Sequence, residues 1–67
     1  MLTREQKISV LREVEKQPNG GSYATGDSEI YNNLDDIEPY VIGYTRYTRS
    51  FAHRGLSELG RKLLESL

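Results

Sequence analysis

GYTRYTRSFAHRGL, residues 43–56, holds two tandem copies of Tyr-Thr-Arg, a third arginine, the only histidine and a closing Gly-Leu. Its Tyr, Thr and Phe content favours a strand. A hairpin needs a turn, however, and no Gly, Asn, Asp or Pro stands between Tyr44 and Arg54. The punctuating residues sit at the two ends, Gly43 and Gly55. Helical spacing accounts better for the interior: Tyr44, Tyr47 or Thr48, and Phe51 with Ala52 form an apolar stripe, opposite Arg46, Arg49, Ser50 and His53. His53 and Arg54 suit the negative end of a helix, and Gly55-Leu56 reads as a left-handed cap with an apolar follower. The stretch is therefore expected to form a helix over about 44–54, with a strand or wing hairpin as the alternative.

The flanking segments read as helices. Thr3 and Gln6 have the spacing of a capping box, and Ile8, Val10, Leu11 and Val14 recur at helical intervals. With a breaker cluster at Gln17-Pro18-Asn19-Gly20-Gly21, the first helix spans about 3–17. Residues 18–27 are a loop in which Ser22-Tyr23-Ala24-Thr25 is compatible with a short strand. Asp27 or Ser28 caps a second helix that buries Ile30, Leu34 and Ile37 and is ended by Pro39. In LSELGRKLLESL, residues 56–67, Ser57 caps a last helix with Leu56, Leu59, Leu63 and Leu67 on one face and Leu64 beside them. The expected fold is mostly α: a single domain, 1–67, of four helices with helix-turn-helix-like organisation and at most a small β element.

Composition limits what such a chain can do. Its 67 residues support one core, since ordering each costs about 1.5 kcal/mol. Cysteine is absent, which excludes disulfides and zinc–thiolate sites and fits a reducing, cytoplasmic setting. No apolar run approaches the roughly 20 residues of a membrane span. Asp35, Asp36 and Glu38 lack the spacing of a calcium loop, and the single His53 among arginines does not organise a nucleophile–base pair. No cofactor, metal or catalytic role is expected.

Charge is more informative by segment than in total. The chain carries a net −1, yet residues 17–38 hold five acids and no base, and residues 39–54 hold three arginines and no acid. Such a distribution creates one surface suited to an anion. If 44–54 is helical, Arg46 and Arg49 emerge side by side to meet phosphates or base edges of double-stranded DNA, with Arg54 beside them and Thr45, Ser50 and His53 as short-range helpers. Three or four phosphate contacts bind weakly, and a homodimer formed through Leu59, Leu63 and Leu67 would add a second half-site. Two other readings stand beside this one. In the first, the arginines are solvated or paired with the acids of 27–38. In the second, Tyr and Arg stack on single-stranded nucleic acid. A rival function is protein interaction through the acidic 27–38 segment and the leucine face of 56–67.

The segment LSELGRKLLESL resembles the Leu-(Ser/Thr)-Glu-x-Gly-(Arg/Lys)-x-Leu-Leu opening of the last helix in many bacterial and archaeal winged-helix regulators. FAHRGL, residues 51–56, resembles the "-x-Gly-Leu" end of an arginine-bearing helix in that family. IGYTR, residues 42–46, followed by Arg49, is similar to the entry to the DNA-reading helix in the winged-helix domain of bacterial chromosome translocases. The resemblance covers about a third of the chain and implies a DNA-binding, regulatory role for Arg46 and Arg49. It departs from the family in one respect: Leu56 runs straight into Ser57, leaving no room for a wing between reading helix and closing helix. Either the wing is absent, or residues 40–54 are themselves the wing and the acidic 27–37 segment is the reading helix.

Overall fold

A computed structural model describes residues 1–66. The chain runs α1 (Arg4–Glu15), β1 (Gly21–Ala24), α2 (Ser28–Tyr31), a 3-10 helix (Leu34–Tyr40), β2 (Thr45–Arg46), β3 (Ser50–His53) and α3 (Glu58–Glu65). The strands form an antiparallel sheet in the order β1-β3-β2. The class is therefore α+β, and the mostly helical expectation is overturned by residues 44–54, which make a hairpin instead of a helix.

The hairpin forms because β3 satisfies a period of two: Phe51 and His53 are buried, while Ser50 and Ala52 are half-buried on the other side. Ala52 faces Thr45 on β2 and Ser22 on β1, and Phe51 faces Arg46 and Tyr23. The turn does without the residue types whose absence argued against it. The Tyr47 N–H donates to the Ser50 carbonyl at 2.8 Å, leaving only Thr48 and Arg49 to connect the strands. Neither takes a positive φ, the conformation that two-residue hairpin loops usually require. Gly43 (φ 68°) and Gly55 (φ 112°) are left-handed, as helix-cap reasoning suggests for Gly55, but they bracket the hairpin.

Local signals held elsewhere. Thr3 accepts from the Gln6 N–H while Gln6 accepts from the Thr3 N–H, completing the capping box of α1. Asp27 caps α2 by accepting from the Glu29 N–H at 3.0 Å. The expected single helix from Asp27 to Pro39 is broken, because the Asn33 side-chain amide donates to the Glu29 carbonyl at 2.8 Å and competes with the helix for it. The chain restarts as the 3-10 helix, which contains Pro39 and runs on to Tyr40.

Val10, Leu11 and Val14 of α1 meet Leu34, Ile37, Val41, Phe51, Leu56 and Leu2 in one core. Helix α3 closes it at Gly60, where an added Cβ would collide with the Tyr40 carbonyl oxygen. Ser57 fixes this approach: its hydroxyl donates to the Pro39 carbonyl at 2.8 Å and accepts from the Gly60 N–H at 3.2 Å. Two contacts anchor the first residues of the chain. The Leu2 N–H donates to Asp36 at 2.7 Å, and the Arg4 guanidinium donates to the Ser66 hydroxyl at 2.6 Å.

Candidate interaction surface

Because residues facing one another across a sheet share a side, Arg46 lies on the same side as the buried Phe51, under the sheet and towards α2. The expected side-by-side presentation of Arg46 and Arg49 from a helix does not occur, since Arg46 stands in an extended strand and is engaged within the molecule. Its Nη2 donates to the Tyr31 carbonyl at 2.6 Å and its Nε to the Tyr47 carbonyl at 2.8 Å. Its Nη1 lies 3.2 Å from Asp35. Arg46 thus satisfies a carbonyl at the end of α2, where a cation is favoured. The reading in which arginines pair with the acids of 27–38 describes Arg46 correctly.

Asp35 also accepts from the Tyr44 hydroxyl at 2.8 Å. That hydroxyl, followed by Arg46, holds the Asp35 carboxyl below its ordinary range. Partial burial, reinforced by Asp35, pushes the Tyr44 hydroxyl up to about 12. Tyr44 stacks on Phe51 with ring centroids 5.2 Å apart, so this polar group is anchored to the core.

The other expected site residues scatter. Arg49, at the turn, sits over Tyr31 with its guanidinium 5.2 Å from the ring centroid. It converges with Arg46 on the end of α2, one on the ring of Tyr31 and the other on its carbonyl. Thr45 is exposed on the outer side of the sheet, and Ser50 is half-buried opposite Ala24. Arg54 is exposed at the far end of the hairpin, its aliphatic stem against Gly43. His53 is buried at 4% exposure, so it is unavailable to a ligand.

The acids of 27–38 divide by role. Asp27 caps α2 and Asp36 holds Leu2, while Asp35 has the only ion-pair partner of the five among the described residues. Asp27, Glu29, Asp35 and Glu38 are exposed. Among the described residues, no group of three or more His, Cys, Asp or Glu is placed to hold a metal ion. No described helix is long and apolar enough to cross a membrane.

The leucine face narrows as well. Leu63 and Leu64 are half-buried against the core, and Leu59, at 49% exposure, is the large apolar side chain α3 leaves outside among the described residues. Leu67, the third member of the expected dimer contact, lies outside the described residues. An open cleft of about 330 Å³ between α1 and α3 is lined by Pro18, Leu56 and Leu64, with Glu15, Arg61 and Glu65 around them.

The sequence reasoning missed Tyr31 and Tyr44 as partners of the arginines and of Asp35. The one signal was the juxtaposition of an acidic block and a basic block. Comparison of the chain with family models, with curated proteins and with solved structures gives no match.

Proposed function

We propose that the chain is a binding module, with no catalytic side chain, that takes a basic protein segment on the acidic residues around α2 and the 3-10 helix. One observation carries this reading: Asp27, Glu29 and Glu38 are exposed with no ion-pair partner among the described residues, and the nearest sequence-predicted DNA contact, Arg46, is already spent on Asp35 and the Tyr31 carbonyl. A polyanion approaching this region would meet more carboxylates than free cations. A Lys- or Arg-rich segment would be steered in. The absence of cysteine from the chain supports a cytoplasmic setting.

Connectivity favours a second reading, duplex DNA binding by a winged-helix regulator. Two helical elements separate β1 from the hairpin, and the hairpin leads directly into α3. That order supports the version of the resemblance in which residues 40–54 are the wing. The hairpin would then supply Arg49 and Arg54 to phosphates, and a dimer using Leu59 would double the contact. Fold alone does not establish this, because function resides in the site.

Titration calorimetry with a Lys/Arg-rich peptide and with a DNA duplex, each at low and moderate salt, separates the two. The first reading expects peptide binding that Glu29→Lys/Glu38→Lys abolishes while Arg49→Ala/Arg54→Ala leaves it intact. DNA binding with the opposite pattern would replace it with the second.

A further inference from the structure

His53 lies where two loops cross. The α1–β1 connection brings Gln17, Pro18 and Gly20 against the β3–α3 connection at His53, Arg54 and Gly55. The crossing is close. An added Cβ would lie 3.2 Å from the His53 carbonyl oxygen at Gly20 and 2.9 Å from the Pro18 carbonyl oxygen at Gly55. The His53 ring spans the crossing with both nitrogens engaged. Its Nδ1 accepts from the Gly55 N–H at 3.1 Å, and its Nε2 lies 3.2 Å from the Gln17 side-chain oxygen. An accepting Nδ1 requires the proton to sit on Nε2, which then donates to Gln17.

We propose that His53 is a proton-operated pin. In its neutral form it holds the Gly55 N–H and the Gln17 side chain together across the crossing, and when protonated it lets those two bonds go while the core, Leu56 included, stays folded. A second proton must go on Nδ1, which turns the acceptor of the Gly55 bond into a donor facing another donor. The new charge would be buried without a counter-charge. Gln17 is neutral, the Phe51 ring packs 5.8 Å away by centroid, and β1 offers only glycine opposite, at Gly21. Of the charged side chains in α1's last turn and cap, Glu13 and Lys16 pair with each other at 3.4 Å, and Arg12 and Glu15 are exposed. Arg54, next in the chain, lies against Gly43. Burial accordingly holds the imidazole below its ordinary 6.5.

A depressed value in the closed state means that the pin is fully effective above 6.5 and is lost as pH falls below it. The opening constant rises by up to about tenfold per pH step of one until the closed form itself titrates.

The test is amide exchange by NMR between pH 7.5 and 4.5, expressed as protection factors, alongside the His53 ring titration. In the wild type, Gly55 is expected to lose protection below 6.5 with this slope, while Val10 and Leu11 keep theirs. In His53→Asn, whose Oδ1 can take the place of Nδ1, Gly55 should be independent of pH. A His53 titration at or above 6.5, or Gly55 protection that is flat or falls only together with Val10, would overturn the proposal. These outcomes are read from the wild type alone, should the variant not fold.

Discussion

Arg46 and Asp35 join the hairpin to the 3-10 helix through a guanidinium–carboxylate contact of 3.2 Å, yet the same guanidinium makes shorter bonds to two backbone carbonyls. The carbonyl bonds should dominate, because Asp35 is exposed and exposed ion pairs contribute little. Arg46→Ala is expected to cost about 1.5–3 kcal/mol in urea unfolding. Asp35→Asn, which leaves the carbonyl bonds in place, should be much milder. Equal losses would mean that the ion pair, not the carbonyl bonds, holds the hairpin.

Gly60→Ala sets helix propensity against packing. In a free helix the change would gain about 1 kcal/mol. Here the methyl group collides with the Tyr40 carbonyl, which is itself fixed by the Ser57 N–H at 3.0 Å, so α3 must shift. A net destabilisation of about 1–3 kcal/mol is expected. Circular dichroism melts that show the variant as stable as wild type would refute this contact.

Local chemistry explains which parts of the fold could be read from the chain. Helix α1 was legible because its cap, its apolar spacing and its breaker all lie within it or directly beside it in the sequence. The caps Asp27 and Ser57 were legible for the same reason. Residues 44–54 were not, because Tyr44, Tyr47 and Phe51 fit a helical period while Phe51 and His53 fit a strand. Deciding between them required β1, a partner distant in sequence, and a turn built from Thr48 and Arg49. The split of 27–40 into two helical pieces falls at Asn33, whose side-chain amide takes the Glu29 carbonyl while its N–H turns to Ile30. At the site, the charge blocks announced that acids and arginines could meet. Only the fold shows that Arg46 is consumed in the meeting, that Arg49 rests on Tyr31 and that His53 is internal.

Phe51 lies on the buried face of the sheet between two rings, Tyr23 at 5.6 Å and Tyr44 at 5.2 Å between centroids. Fully buried, it should cost about 3–5 kcal/mol on truncation to alanine. Small domains have only about 5–15 kcal/mol in total. Phe51→Ala is therefore expected to lower the urea midpoint severely, whereas Phe51→Leu should retain a cooperative transition. A mild effect of the alanine change would place the core elsewhere.

Alkaline stability should report on Tyr44. Its hydroxyl titrates near 10.0 when unfolded and is pushed up to about 12 in the fold. A raised folded value means that the contribution is complete below 10.0 and is lost as pH rises towards 12. Tyr23, raised mainly by burial, acts in the same direction. Melting temperature should fall between pH 10 and 12, and Tyr44→Phe should flatten that fall. An unchanged slope in the variant would assign the effect to other groups.

The bond between Arg4 and Ser66 has a topological consequence. It places the start of the first helix beside the end of the last, so a linker of a few residues could splice the two and new ends could be cut at Thr48. Such a circular permutant would keep every core contact while freeing the hairpin's two strands from a common turn. The same adjacency lets the whole unit sit as an insert within a longer polypeptide, entering and leaving at one spot without stretching the host.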